Sequence, residues 1–267
     1  MPNMIVCVKQ IPDPEAPAGS FRVDEAANAV VPAASVSQVV SPFDEQAVEA
    51  ALRLKDEHGG TITAVSLGKD FVMDVIKKPL AMGSDELVLL QDPAFEGGDS
   101  RSTAYALAMA IKKIGDFDIV FCGRQAADWD AGQVGSGIAE FLGVPSVTVA
   151  KKVEWLDGKV KVERVVSDGY EVIEVSPPLV ITVSNELGEP RYPKLKGIMA
   201  ASKKQVPTWA AADIAADASQ AGAAGARIKL LKVFQPVKEG KCEIIEGDSP
   251  EEAAAALALK LREVKLV

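Results

Sequence analysis

Short apolar runs alternate with helix-period segments along the first 142 residues, and this alternation limits the fold more than any other feature of the chain. Met4-Ile5-Val6-Cys7-Val8, Thr61–Leu67, Glu86–Leu90 and Phe117–Phe121 each have the length and character of a buried strand. Between them, apolar residues recur at helical spacing. One set is Val48, Ala51, Leu52 and Leu54, another is Val72, Val75, Ile76 and Leu80. Tyr105, Leu107, Met109 and Ile111 make a third, and Val134, Ile138 and Phe141-Leu142 a fourth. Ser41-Pro42-Phe43-Asp44 opens the first helix with a serine cap, a proline at the first helical position and acidic residues that complement the dipole. Strands separated by helices imply an α/β fold, a mostly parallel sheet with helices on both faces and right-handed crossovers.

The character changes after Pro145. Val153–Leu156 and Lys159–Glu163 flank Asp157-Gly158, a hairpin turn signal, and Tyr170–Val175 and Leu179–Val183 add strands, so this part reads as an antiparallel hairpin extension of the same sheet. Earlier, Phe21–Asp24 and Val30-Val31 resemble a small hairpin within an irregular stretch at 15–40. Asn185–Pro193 is turn-rich and expected to be exposed. Residues 210–226 are alanine-rich and of low complexity, a linker in appearance. A strand at Ile228–Val233 and a helix from Pro250, capped by Ser249, are expected beyond it. The expected organisation is an α/β domain at 1–209, a linker at 210–226 and a C-terminal arm of strand plus helix at 227–267.

Ligands of such folds bind beyond the carboxyl ends of the strands. Lys9, Gly68, Gly97-Gly98-Asp99 and the segment Cys122–Gly135 should all emerge there. The last of these follows a strand, contains glycines and enters a helix, the geometry in which free helix amides and the positive end of the dipole hold a phosphate. An ordinary packing turn is the competing reading, and the glycine spacing matches neither a Walker loop nor a GxGxxG fingerprint. Asp128 and Asp130 fit catalytic or metal-ligating carboxylates less well than turn or capping residues. Asp99 and Ser100 look like helix caps, while Gly97 and Gly98 would admit a bulky ligand to the backbone. The sole histidine, His58, sits at a hydrophilic helix end, and no Ser-His-Asp or Cys-His arrangement and no metal-ligand spacing can be assembled. The pattern suggests a nucleotide held without acid–base chemistry, as in a cofactor carrier.

With 48% hydrophobic residues, the chain can bury a large core. A formal charge of −9 argues against nucleic acid or an anionic membrane as main partner. No apolar run is long enough to span a bilayer, and MPNMIVCVKQ lacks a signal peptide's basic start. Cys7, Cys122 and Cys242 are far apart in sequence, and the first two lie in apolar strands as buried thiols would. A reducing compartment, cytoplasm or organelle matrix, is expected.

Several segments together resemble the electron-transfer flavoprotein beta subunit. Gly123–Asp130 continuing to Gln133-Val134-Gly135 is similar to that family's nucleotide loop, and Asn185–Met199, with Glu189-Pro190-Arg191-Tyr192 at its centre, to its second signature. Val6–Gln10, Pro42–Ala51 and Leu80–Gly83 match in order and spacing, so the likeness runs from about 4 to 204. It implies a Rossmann-like sheet of the adenine-nucleotide-binding type and a heterodimer whose alpha subunit carries an electron-transferring FAD and is wrapped by the C-terminal arm at 227–267. The beta-subunit site then holds AMP, or in electron-bifurcating members a second FAD that takes hydride from NADH. The Gly97-Gly98-Asp99-Ser100 turn resembles the FAD-bearing members and favours FAD here.

By the same resemblance, Cys7, Val8, Lys9, Val65, Ser66 and Gly68 match adenosine-contacting positions. Gly123, Gln125, Asp128, Gln133, Val134 and Gly135 match phosphate-holding ones. Leu195 falls at the leucine of a recognition loop that anchors acyl-CoA dehydrogenases, with Glu189, Arg191, Tyr192, Ile198 and Met199 around it. The sequence departs from the family at three places. Trp129 stands where glycine or aspartate is usual, Ala131 replaces a common threonine beside Asp130 and Gly132, and Ser41 occupies a position often held by asparagine. The implied role is an electron carrier without catalysis of its own, between acyl-CoA dehydrogenases (or NADH) and a quinone- or ferredoxin-linked acceptor, as in fatty acid beta-oxidation. The rival is a stand-alone adenine-nucleotide sensor or ATP-using enzyme of similar architecture, which would need neither the 185–199 segment nor a long arm.

Overall fold

The computed structural model describes residues 1–156, 158–236, 240 and 242–267. Thirteen strands are present among them: β1 (Asn3–Cys7), β2 (Gln10–Pro12), β3 (Phe21–Asp24), β4 (Ala29–Pro32), β5 (Gln38–Val40), β6 (Thr61–Leu67), β7 (Glu86–Leu90), β8 (Ile119–Gly123), β9 (Ser146–Leu156), β10 (Lys159–Val166), β11 (Gly169–Val175), β12 (Leu179–Val183) and β13 (Thr208–Trp209). The helices are α1 (Pro42–His58), α2 (Met73–Ile76), α3 (Lys78–Met82), α4 (Ser100–Ile114), α5 (Val134–Leu142), α6 (Leu195–Lys203), α7 (Gly222–Gly225) and α8 (Pro250–Glu263). Nine strands form one sheet in the order β11-β10-β9-β12-β8-β1-β6-β7-β13.

Strand alternation sorts the side chains into two cores. Met4, Val6, Ile62, Ala64, Ile119 and Phe121 meet the inner face of α1, while Ile5, Val65, Val120 and Cys122 meet α4 and α5 on the other side. Full burial on both faces explains why these strands read as continuous apolar runs. Around the centre, β1 pairs in parallel with β6 and β8, β6 with β7, and β8 with β12. The chain works outward from β1 through β6 and β7, then returns to β1's other side as β8. The direction of winding therefore reverses between β1 and β6 on one side and β8 on the other, the switch point at which α/β sheets open a crevice.

Some expectations are corrected. Leu179–Val183 is a buried central strand, parallel to both β8 and β9, and only β9-β10-β11 form the antiparallel extension. The turn residue Asp157 lies outside the described residues. The helix expected through Val72–Leu80 is split into α2 and α3, because Pro79 sits at the start of the second piece. Ser41 is the residue before α1, but its hydroxyl makes no capping bond; Asp44 and Glu45 amides turn to its carbonyl instead. No strand forms at Ile228–Val233, because its backbone is held by side chains rather than by a neighbouring strand. Residues 210–226 lie against the body, with Ile214 and Ala221 buried, the Asp217 amide donating to Tyr105 Oη at 2.8 Å, and Gly222 and Gly225 packed near α4.

Candidate functional site

Glycine makes the crevice narrow at its floor. A Cβ on Gly123, the last residue of β8, would lie 2.5 Å from Asp44 Oδ1 and 2.8 Å from Phe43, so the start of α1 can rest on the strand end only here. Asp44 is buried and ties the two central strands together. Its Oδ2 accepts the Lys9 amide at 2.8 Å and its Oδ1 the Gly123 amide at 3.1 Å. Burial pushes its carboxyl up to about 7 against the pull of those two amides. Asp44 was expected only as a dipole partner of α1. The helix-start pattern Ser-Pro-Phe-Asp was the one signal available, and it does not reveal that the helix end lands between β1 and β8.

The expected adenosine-side residues converge on this edge. Cys7 and Val8 end β1 in the core, the Val8 amide donates to Val65 O at 2.9 Å, and the Ser41 amide donates to Lys9 O at 2.9 Å. Ser66 and Ser41 are wholly buried, and neither hydroxyl has a hydrogen-bond partner among the described residues. Gly68 follows β6 and its amide donates to Leu90 O at 3.1 Å. Cys7 and Cys122 lie side by side; their mutual hydrogen bond first, then burial, pushes the Cys122 thiol up, so it stays protonated and unreactive.

The loop after β8 carries the expected phosphate-side residues. Lys9 Nζ reaches across to it and binds both carboxylate oxygens of Asp128, at 2.8 and 2.7 Å. Gln125 Nε2 donates to Asp130 Oδ1 at 2.7 Å, and the Trp129 and Asp130 amides donate to Ala126 O at 3.2 and 2.8 Å. Asp130 and Gly132 take positive φ, Ala131 and Gly132 are exposed, and Trp129 stands out at 60% exposure. Gln133 precedes α5 without a side-chain cap, which leaves the first amides, from Val134 onward, free of side-chain partners. Gly135 is buried by packing, since a Cβ there would strike Thr182 and come within 3.5 Å of Cys122 Cβ. Arg124, not singled out from sequence, stacks on Phe43 at 5.1 Å, and its buried Nε has no partner among the described residues. Two buried hydroxyls and a buried guanidinium nitrogen without partners among the described residues, a lysine and a helix start therefore gather at the carboxyl ends of β1, β6 and β8. This donor set fits an adenine nucleotide.

The Gly97–Ser100 turn lies elsewhere on the edge and holds this chain. Gly97 takes a positive φ, its Cβ position is 3.2 Å from Ala223 Cβ, and Gly98 faces Gly222. Asp99 caps α4 through the Ser102 amide at 2.9 Å, completes a capping box, and accepts the Arg227 and Ile228 amides on its second oxygen. Burial pushes its carboxyl up, but the Ser102, Arg227 and Ile228 amides together outweigh it and hold the group down at about 2. Ser100 is the first residue of α4. The glycines thus accommodate the 222–223 backbone.

The second signature is partly buried and partly helical. Arg191 is bound within the chain: Nε to Glu49 Oε2 at 2.7 Å and Nη2 to Asp56 Oδ2 at 2.8 Å. Burial raises the Glu49 carboxyl, but Arg191 and Arg53 outweigh it and hold it below its ordinary value. Leu195 opens helix α6 rather than sitting on a loop. With Tyr192, Ile198 and Met199 it forms an exposed apolar patch, Leu195 at 74%, beside the exposed Glu189. No helix among the described residues is long and apolar enough to cross a membrane.

A family model described as "Electron transfer flavoprotein domain" matches residues 29–214. The electron transfer flavoprotein subunit beta of Clostridium acetobutylicum is 40% identical over 262 residues, covering 98% of each chain. That of Thermoanaerobacterium thermosaccharolyticum is 41% identical, covering 93% of this chain and 94% of its own. The caffeyl-CoA reductase-Etf complex subunit CarD of Acetobacterium woodii is 37% identical, covering 99% of this chain and 100% of its own.

Proposed function

The chain belongs to the electron transfer flavoprotein beta-subunit family, and from that premise we propose that it binds an adenine nucleotide at the switch-point crevice and relays electrons in a heterodimer with an alpha subunit. The observation that carries the nucleotide reading is the unpartnered Ser41 and Ser66 hydroxyls buried beside Lys9, because buried polar groups ordinarily have partners. Gly123, Gln125, Gln133 and the amides at the start of α5 orient the phosphates, and Ser41, Ser66 and Cys7–Lys9 with Val65 and Gly68 at the ends of β1 and β6 receive the adenosine. Bound FAD supplies redox chemistry, whereas bound AMP is structural. FAD is favoured only by the likeness of the Gly97–Ser100 turn to the FAD-bearing members, since here its glycines pack against Gly222 and Ala223.

Acyl-CoA dehydrogenases, or NADH if the nucleotide is FAD, are the proposed donors, and a quinone- or ferredoxin-linked oxidoreductase the acceptor. The α6 patch supports a dehydrogenase contact: a protruding leucine suits a partner's apolar pocket. The test is to co-express the chain with its alpha subunit, denature the purified complex and identify the released nucleotides. Two FAD per heterodimer supports the bifurcating form, one FAD with one AMP the simple carrier. Absence of any nucleotide beyond the alpha subunit's FAD overturns the reading.

A further inference from the structure

The segment that leaves the body for the C-terminus is fastened at two points, and neither fastening belongs to regular secondary structure. At the first, Asp99 Oδ2 accepts the Arg227 and Ile228 amides at 2.6 and 2.9 Å. At the second, the side-chain amide of Asn28, in the turn between β3 and β4, acts as a strand edge would. Its Nδ2 donates to Leu230 O at 3.2 Å and its Oδ1 accepts the Val233 amide at 2.6 Å. Asn28 takes a positive φ of 51° to present that amide. Residues 227–233 therefore span from the start of α4, at Asp99, to the β3–β4 turn, at Asn28.

This segment is not held by its own side chains. Ile228, Leu231 and Phe234 are 63, 83 and 62% exposed, and farther along no residue of α8 is buried. A strap fixed by its backbone, cationic and apolar by turns and exposed on every side chain but Val233, is built to meet another surface. We infer that Asp99 and Asn28 are positioning residues for subunit assembly, clamping 227–233 so that the arm beyond it leaves in the direction the alpha subunit requires. The inference rests on the heterodimer reading above. Its physical basis is preorganisation: a segment already ordered in the free chain pays less entropy when the partner closes on it.

Asn28→Ala removes both Asn28 bonds and touches no part of the nucleotide crevice. Asp99→Asn keeps one acceptor oxygen for α4 and weakens the hold on Arg227 and Ile228. Each variant is expected to dissociate from the alpha subunit roughly tenfold more readily. Trypsin should nick the free subunit faster after Lys229 and Lys232, with cleavage elsewhere in the chain unchanged. Asn28→Asp, which keeps the acceptor for Val233 and loses the donor to Leu230, should fall between wild type and Asn28→Ala. Unchanged dissociation and unchanged nicking in Asn28→Ala would overturn the clamp. Failure of the wild-type chain to associate with an alpha subunit at all would instead overturn the heterodimer reading.

Discussion

Asp44 and Gly123 show how a single residue becomes legible only through its neighbours. A carboxylate at the third position of a helix looks like dipole compensation, yet here it is sealed in and shared between two strand ends. Because its folded pKa is raised from 3.8 to about 7, the stability it contributes is present below about pH 4 and is lost as pH rises through 7. Between pH 4 and 8, urea unfolding of wild type should therefore lose on the order of 4 kcal/mol relative to Asp44→Asn; parallel curves would refute a buried, titrating Asp44. Gly123→Ala forces a Cβ against Phe43 and Asp44, and overpacking of that kind should destabilise by about 1–3 kcal/mol, read as a lower denaturant midpoint with unchanged slope. Glu49 has the opposite sign from Asp44. Its carboxyl is held down by Arg191 and Arg53, so its contribution is present above about pH 4.5 and lost as pH falls further. Glu49→Gln should cost about 2 kcal/mol at neutral pH and much less in acid, by the same unfolding measurement.

At the scale of elements, α1 and α6 carry the consequences. Helix α1 presents Asp44 to the crevice at one end and Glu49 to Arg191 farther along, so one helix supports both the nucleotide edge and the second signature. Helix α6 is seated against α3 by Gly197, whose Cβ position runs into Ala81 O. That contact fixes the opposite, apolar face outward. Leu195→Ala should slow reduction by an acyl-CoA dehydrogenase severalfold while flavin content stays at the wild-type level, as measured by stopped-flow reduction; unchanged kinetics would remove Leu195 from the docking surface. The segment looked like an exposed loop because Pro190 and Pro193 break its start and Gly197 interrupts its middle. Residues 195–203 are helical and pack on α3 through Gly197.

For the whole molecule, the body and the arm obey different physics. The body buries two continuous cores on either side of the sheet, whereas α8 buries none of its leucines. Stability should therefore reside in the body. Deleting residues 242–267 is expected to leave the melting temperature of the free subunit within a few degrees of wild type, while association with the alpha subunit falls by orders of magnitude. A large drop in melting temperature would mean that the arm folds onto its own body.

The central strands and the long helices of the body were readable from residue order, because burial on both faces writes itself as apolar runs and helical periodicity writes the rest, whereas the short β2, β5 and β13 and helix α6 were not. Asp99 as a helix cap and Ser249 at the start of the last helix were readable too, since capping is local. Contacts between distant segments were not. Nothing in Gly97-Gly98 says that Gly222 and Ala223 will fill them, nor in Leu179–Val183 that it will slip between β8 and β9, nor in Asn28 that it will grip Leu230 and Val233 some two hundred residues away. Local patterning selects elements, but pairing partners and the fate of each buried polar group depend on which surfaces the completed sheet brings together.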